Sequence, residues 1–379
     1  MTDLRTLYRH LEPALHPAGN AASFANEAWS AVRDGERLEV TARVRVTNEA
    51  GDREVMLYDV RPEAHLLSEG TLDAVGLRTE VRSLDAEHPP RPDRYWTAFV
   101  VNPHGSSELE LRLVVNGEGA ELDGIYAVCV LLHIDTYGAE GLRRRVHQVI
   151  LPVRLQEPAA ALSWQPADDG RLQVAPVRTH LLTPVDDPVD VVRRYVVPHA
   201  LPGDVLAIGE SPLAIMQGRF RHPSEVAVSW STHRLCYLLS GTGSLGTAPG
   251  LQTLIDLVGL RRVLWALARG AGGKLAGRNG DFYRTLGDQS RLIDDVTGTL
   301  PPYDRFLVLG PIRADEVARS VAAASGIGVA VVDANDLGFV DVIGASSGVD
   351  AAEVAAALRR NPAGNGAEST PLVLIRRAG

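Results

Sequence analysis

A strict alternation of apolar and polar residues governs the first half of this 379-residue chain. From Arg37 to Thr47 every second residue is apolar, which is the period of a β-strand with one dry and one wet face. Runs of similar length, separated by Gly, Asn and Pro turns, continue to Leu155. The pattern is typical of an antiparallel sandwich, and we expect an immunoglobulin-like one without the Cys–Trp–Cys arrangement of antibody domains.

The rest of the chain changes period and predicts a second domain. After a linker at residues 156–169, short buried-strand runs alternate with helical patterns, which predicts a mixed α/β domain. We therefore expect an α+β chain with a helix and loop at 1–24, the sandwich at 25–157 and the α/β domain at 158–379. The helix at the start rests on leucines at helical spacing, from Leu4 to Leu15.

Charge and cysteine content exclude several classes of protein. The net charge of −9 and a pI of about 5.7 disfavour a nucleic-acid partner. The two cysteines, Cys129 and Cys236, each lie in an apolar run, which favours buried thiols in a reducing cytoplasm. We identify no secretory signal pattern and no apolar stretch long enough to span a bilayer, so we expect a cytoplasmic protein.

Two acidic segments of the second domain are candidates for a metal site. Asp294 and Asp295 follow an apolar pair, and adjacent carboxylates beside apolar residues usually need a cation or a basic partner. Asp333 and Asn335 follow a buried-strand run at 328–332, where open α/β sheets place ligands. Asp294, Asp295 and Asp333 could therefore share a magnesium or manganese ion. The alternative is that these are ordinary turn and cap carboxylates.

Two further segments are candidates for phosphate or nucleotide contacts. Gln217, Gly218 and Arg219 follow a predicted strand, where backbone N–H groups and a cation can meet a phosphate. The polar loop Arg360–Pro371 contains Gly364, Asn365 and Gly366 and precedes the last strand. Each segment is equally compatible with a plain turn or loop.

A predicted helix at 251–268 is locally basic on an acidic protein. Arg261, Arg262 and Arg269 lie near its middle and end, beside Trp265. The pattern is compatible with an anionic-ligand clamp, a weak membrane-surface contact or a homodimer face. A helix that packs on the core and has a solvated edge is the fourth interpretation.

The order of these pieces resembles the coenzyme F-420 γ-glutamyl ligase family over residues 174–376. The matching segments are VAPVRTHLLTP, PGDVLAIGESPLAIMQGR, LIDDVTGTLPPYD, VAVVDANDLG and NGAESTPLVLIR. The resemblance implies an enzyme that uses GTP or ATP and a divalent metal to form an amide bond. Asp294 and Asp333 occupy its metal-aspartate positions, and Gly218 and Arg219 keep its Gly-Arg pair. Thr297 stands where the family has an asparagine that contacts nucleotide, and Thr179 and His180 lie in its first loop.

Other positions depart from the family pattern. Ile215 and Gln217 replace a lysine and a glutamate, Ala334 replaces a hydroxyl residue, and Asn365 replaces an acidic residue. These changes remove a phosphate-binding cation and expected ligands of a second metal. The leading hypothesis is a metal-dependent amide ligase, acting on a nucleotide and a small-molecule acid, and the family implies a homodimer. The alternative is a non-catalytic protein that binds a nucleotide or another phosphate ligand on a diverged ligase scaffold.

Overall fold

The computed structural model describes two compact units that meet in sequence between Leu155 and Gln156. The described residues are 22–139, 141–168, 170–239, 243–275, 285–286, 293, 300–335, 337–364 and 368–378, with the backbone alone described from 271 to 275. The change of unit lies two residues before the boundary at 157/158 that the linker predicts. The mixture of strands and helices agrees with the α+β class.

The first unit contains two four-stranded antiparallel sheets. The strands are β1 (Ala22–Asp34), β2 (Arg37–Asn48), β3 (Val55–Ser68), β4 (Gly76–Ser83), β5 (Phe99–Val101), β6 (Ser106–Asn116), β7 (Ile125–Gly138) and β8 (Gly141–Pro152). Their orders in the two sheets are β1-β2-β6-β4 and β5-β3-β7-β8. A one-turn helix α1 (Gly119–Gly124) connects β6 to β7.

The alternation in β2 is the physical basis of this unit. Leu38, Val40, Ala42, Val44 and Val46 are all at most 2% exposed, whereas the residues between them are at least partly exposed. The predicted strand is therefore confirmed. The sequence pattern did not indicate β1 or β4, because both have mixed rather than strictly alternating exposure.

The second unit is built on a six-stranded mixed sheet of the strands β9 (Gln165–Pro166), β10 (Leu172–Val177), β11 (Val205–Gly209), β14 (Gly328–Ala334), β15 (Val340–Ala345) and β16 (Leu372–Arg377). Their order is β15-β14-β11-β16-β10-β9. Among the described residues only β11 and β14 pair in parallel, and β16 lies antiparallel between β10 and β11. A separate two-stranded sheet joins β12 (Phe220–Arg221) to β13 (Leu307–Val308).

Helices cover both faces of the large sheet. The helices are α2 (Pro188–Tyr195), α3 (Glu210–Met216), α4 (Trp230–Leu235), α5 (Ala248–Val258), α6 (Leu260–Leu275), α7 (Ala314–Ser325) and α8 (Ala351–Leu358). Short 3₁₀ turns lie at Val197–His199, Pro223–Glu225, Cys236–Leu239, Gly243–Gly246 and Tyr303–Arg305. One apolar core includes residues of α2, α3 and α7, and the core on the other face includes residues of α8.

The sequence also predicts helices at Pro188–Tyr195 and Ala314–Ala324, and local capping explains where they start and end. Asp187 accepts a hydrogen bond from the Val189 N–H at 2.8 Å, and Pro188 occupies the first helical position of α2. Gly326 ends α7 with a left-handed φ of 77°. Both helices start at the residues that the sequence predicts.

The prediction of a single helix at 251–268 is wrong. The chain instead forms α5 and α6, which are separated by Gly259. Gly259 has a φ of 86° and a ψ of 141°, which no residue of a continuous α-helix adopts. The apolar periodicity runs through this break, so periodicity alone could not reveal it.

The apolar run Phe306–Leu309, which predicts a strand, forms a shorter one. Only Leu307 and Val308 pair, and their partners are Arg221 and Phe220 rather than a strand of the large sheet. The strand that ends near Asp333 also continues to Ala334, because it pairs with β15.

Two sequence predictions about the chain as a whole have structural counterparts. Cys129 and Cys236 are free and buried, at 4% and 7% exposure, as their apolar surroundings predict. Over the described residues, none of the helices combines the length and the hydropathy that crossing a bilayer requires.

Candidate functional site

A cavity of about 610 Å³ opens at one edge of the six-stranded sheet. The edge is formed by the carboxyl ends of β10, β11 and β14 and the amino end of β16, which runs in the opposite direction. Ligands of open α/β sheets bind at such edges. The polar lining residues include Thr179, His180, Glu210, Ser211, Asp333, Asn335, Asn361, Ser369 and Thr370.

Asp333 lies on the cavity wall and faces a second aspartate across the hairpin. It is half-buried, and its register partner on β15 is Asp341. Side chains at such opposite positions lie close together, and like charges there weaken strand pairing. The sequence did not indicate Asp341 as a site residue, because strand register cannot be read from a local pattern.

Asn335 forms the turn that follows Asp333. Its Oδ1 accepts hydrogen bonds from the N–H groups of Leu337 at 3.0 Å and Phe339 at 3.2 Å. An amide oxygen has two lone pairs, so this turn uses its accepting capacity and leaves the Nδ2 group as the donor. Asn335 is thus better suited to donate to a ligand oxygen than to bind a metal ion.

Glu210 is a second carboxylate of the cavity. It is 8% exposed and starts α3 directly after β11. Gly209 before it permits a close approach, because a Cβ there would lie 3.1 Å from Pro212 and 3.4 Å from the Pro371 carbonyl oxygen. The rule that selected Asp333, a carboxylate directly after a buried-strand run, would also have found Glu210.

His180 is held in a buried network behind the cavity. Its Nδ1 lies 2.8 Å from the Tyr195 hydroxyl, and its Nε2 lies 2.9 Å from Asp186. The Asp186 carboxylate only accepts, so His180 Nε2 donates to it. The Tyr195 hydroxyl donates to the Gln156 carbonyl at 2.9 Å. Burial raises the pKa of Tyr195, which keeps its proton available for this bond.

Replacing Tyr195 with phenylalanine should lower the free energy of unfolding of the second unit by about 2 kcal/mol. The change removes a hydroxyl that contacts both the Gln156 carbonyl and His180 Nδ1, at a residue that is 1% exposed. Urea denaturation measures the effect. Tyr237→Phe is the matched control, because Tyr237 is 76% exposed and should change stability by less than about 0.5 kcal/mol. Equal stability of the two variants would contradict the assigned network.

The described residues that line the cavity include neither Gln217 nor Arg219. The Gln217 amide exchanges two hydrogen bonds with the Ile312 backbone, at 2.9 and 2.8 Å, and Arg219 Nε donates to the Gly310 carbonyl at 2.6 Å. Both side chains are buried and hold the chain at 310–312. Gly218, between them, has a left-handed φ of 69°. Their predicted phosphate contact stays a prediction.

The structure brings together only part of the predicted site. Thr179, His180, Asp333, Asn335 and Gly364 all line the cavity. Thr179 donates its hydroxyl to the His180 carbonyl at 2.8 Å, which fixes this part of the wall. The predicted residues Asp294, Asp295, Thr297, Asn365 and Gly366 lie outside the described residues.

The described part of the chain does not by itself complete a metal centre. Within it, no three or more His, Cys, Asp or Glu side chains are grouped so that they could hold an ion. Asp333 is nevertheless the right type of ligand, because a hard divalent cation prefers carboxylate oxygen. Its predicted partner Asp294 is not among the described residues, so the shared-metal hypothesis stays a prediction.

Comparisons with solved structures give only remote likenesses. The GAE domain of yeast GGA1 is 7% identical, with 36% of this chain and 95% of that chain covered and a TM-score of 0.21. A FixG-related protein from Vibrio parahaemolyticus is 11% identical, covers 36% and 98% and has a TM-score of 0.19. A protein from Archaeoglobus fulgidus is 11% identical, covers 35% and 100% and has a TM-score of 0.19. We draw no argument from scores this low.

Comparison with protein families identifies the first unit. A search of curated proteins finds no match. Residues 23–155 match the family described as "F420-0:gamma-glutamyl ligase, N-terminal Ig-like domain". The match covers the sandwich, whereas the resemblance in sequence motifs lies in the second unit. Residues 23–155 are thus similar to the Ig-like domain that stands at the amino terminus of F420-0:gamma-glutamyl ligase.

Proposed function

We propose that the second unit is a metal-dependent amide ligase of the γ-glutamyl type that binds GTP or ATP in the cavity at the strand ends. The observation that carries the proposal is the position of Asp333, a half-buried carboxylate on the cavity wall with Asp341 opposite it. The Ig-like domain supports the type of ligase, because the matched family is described as the amino-terminal part of such an enzyme.

The charges of the cavity favour a metal requirement. Glu210 and Asp333 line it, and its described lining residues include neither lysine nor arginine. A nucleoside triphosphate is strongly anionic, so these walls would repel it unless a cation enters with it. Asp333 would hold a magnesium or manganese ion together with Asp294, the partner that the family resemblance implies. The bound ion would neutralise charge on the phosphoryl group that is transferred.

The cavity also suits the size and the mixed polarity of a nucleotide. Its volume of about 610 Å³ lies within the usual range for small-molecule sites. Leu182, Ile215 and Tyr303 form an apolar part of the wall, where a base can pack. The Tyr303 hydroxyl donates to the Leu182 carbonyl at 2.7 Å, which fixes the ring. Asn335 can then donate to a ligand oxygen, in agreement with its use of Oδ1 in the turn.

One observation favours the alternative, a protein that binds the nucleotide without turnover. Gln217 and Arg219 bond to the backbone at 310–312. In the resembled family, the segment around them carries a lysine and a glutamate that this chain lacks. Transfer of a phosphoryl group needs cations against it, so a single metal would have to supply this stabilisation largely alone.

Release of inorganic phosphate separates the two functions. The full chain is incubated with manganese, GTP or ATP, pooled amino acids and a set of carboxylic acids. The ligase proposal predicts phosphate release that requires both an acid and an amine. Asp333→Asn should lose it, and Asp190→Asn, which changes an exposed aspartate of the same unit, should keep it. Nucleotide binding without release over the whole set would favour the binding protein.

A further inference from the structure

The outer face of α6 combines large apolar side chains with arginines. Val263 and Ala266 are fully buried and attach the helix to its core. On the other side Trp265 is 61% exposed, Leu264 44% and Leu260 37%. The exposed arginines on the same helix are Arg261, Arg262 and Arg269. Exposing a tryptophan and leucines to water costs free energy, and burying the charged arginines against a purely apolar partner would cost more.

The basic charge of this segment contrasts with the rest of the chain. No acidic residue lies between Asp256 and Asp281, although the chain as a whole has a net charge of −9. The basic residues in the interval are Arg261, Arg262, Arg269, Lys274 and Arg278. Within the described part of the chain, no carboxylate forms an ion pair with an arginine of α6, and Arg262 donates to the Thr285 carbonyl at 3.3 Å. The face therefore keeps its positive charge.

Exposed aromatic residues also occur on α4 and on the turn that follows it. Trp230 on α4 is 74% exposed, and Tyr237 and Leu238 in the turn after it are 76% and 74% exposed. The Arg234 guanidinium lies 5.1 Å from the centre of the Trp230 ring. The 3₁₀ turn at Cys236–Leu239 and α6 bury their inner residues in one apolar cluster. The segment from α4 to the turn at Cys236–Leu239 and the helix α6 thus pack on the same core and both expose aromatic and leucine side chains beside arginines.

We propose that the exposed face of α6 docks on an anionic lipid bilayer. Leucine and tryptophan side chains can enter the boundary between headgroups and acyl chains while arginines bind lipid phosphates, which is the composition of interfacial helices. A second copy fits less well, because the segment that forms the face contains no carboxylate, so a twofold contact would bring two positively charged faces together. Nucleic acid would leave Leu264 and Trp265 in water and meet an acidic protein. The proposal does not depend on the ligase proposal.

Vesicle sedimentation of the full chain tests this docking. Vesicles of phosphatidylcholine with phosphatidylglycerol should bind the protein at low salt. Pure phosphatidylcholine vesicles should bind little, and high salt should release the protein. Absence of binding to the anionic vesicles at low salt would overturn the proposal, as would equal binding to both kinds of vesicle.

Paired variants show whether α6 is the docking face. Arg261→Glu with Arg269→Glu should lower the vesicle partition coefficient at least about tenfold, since each basic residue near an anionic surface contributes roughly fivefold. Trp265→Ala should weaken binding as well. Two control variants change exposed residues elsewhere and should bind as the wild type does. They are the double variant Arg319→Glu/Arg193→Glu and the single variant Tyr95→Ala. Equal loss in the controls, or a solution dimer that only the α6 variants dissociate, would refute docking through this face.

Discussion

Replacing Asp333 with asparagine should abolish the stabilisation of the second unit by nucleotide and manganese. At a nucleotide concentration a hundred times the dissociation constant, binding adds about 2.7 kcal/mol to the stability of the wild-type unit. Asparagine keeps the shape of the side chain and removes the charge that would hold the cation. If affinity falls a hundredfold, the gain at the same concentration falls to about 0.4 kcal/mol. Thermal unfolding with and without manganese and GTP or ATP measures this difference.

The same variant distinguishes a lost ligand from a damaged fold. Without ligand, Asp333→Asn should stay within about 1 kcal/mol of the wild type, because it also removes the like-charge neighbour of Asp341. Asp190→Asn is the matched control, since this carboxylate is 74% exposed and lies on α2. The control should keep the whole stabilisation. Full nucleotide stabilisation in Asp333→Asn, with manganese present, would remove Asp333 from the site.

Replacing Asp204 with alanine is expected to destabilise the second unit by about 3 kcal/mol. Its carboxylate side chain is 2% exposed and accepts two hydrogen bonds from Arg376, at 2.9 and 2.7 Å, and one from the Leu201 N–H at 2.8 Å. The hydrogen bond to Asp204 raises the pKa of Arg376, whose guanidinium also lies 4.2 Å from the centre of the Trp164 ring. Removing the Asp204 carboxylate therefore leaves the partly buried Arg376 guanidinium without its partner. The loss is expected at the lower end of the usual range because Arg376 is 26% exposed, so water partly solvates its charge.

An exposed ion pair in the same unit provides the comparison for Asp204. Asp190 and Arg193 are 3.5 Å apart on α2 and both well exposed. Asp190→Ala should therefore change the unfolding free energy by about 0.5 kcal/mol or less. Urea denaturation of both variants gives the two values. A loss at Asp204 as small as that at Asp190 would show that the Asp204–Arg376 pair does not stabilise this unit.

The sequence predicted most of the elements that local patterns specify. The alternation in β2 gave its buried face, and Asp187 with Pro188 gave the start of α2. These features depend on side-chain period and backbone capping, which lie within a few residues. Gly259 shows the limit of this reasoning, because apolar spacing continues across a backbone conformation that ends a helix.

Parts of the site that depend on long-range pairing could not be predicted. Asp341 lies opposite Asp333 through the register of a hairpin, and Leu307 pairs with Arg221, 86 residues earlier in the chain. Arg219 is a residue type that often contacts phosphates, and only the fold shows that its Nε donates a hydrogen bond to the Gly310 carbonyl. Asp333 and Asn335 follow a strand in the sequence and both line the cavity, because a strand end is a local feature. Contacts between distant segments are not local features.

Under the proposed function, Asp333 holds a divalent cation in the cavity and the nucleotide binds through that cation. Crystals soaked with manganese and GTP or ATP reveal the ion, because manganese gives an anomalous-scattering signal. We expect a peak within about 2.5 Å of the Asp333 carboxylate, with the triphosphate beside it. A nucleotide in the cavity with no manganese peak at Asp333, or manganese bound only at another place, would contradict the proposal.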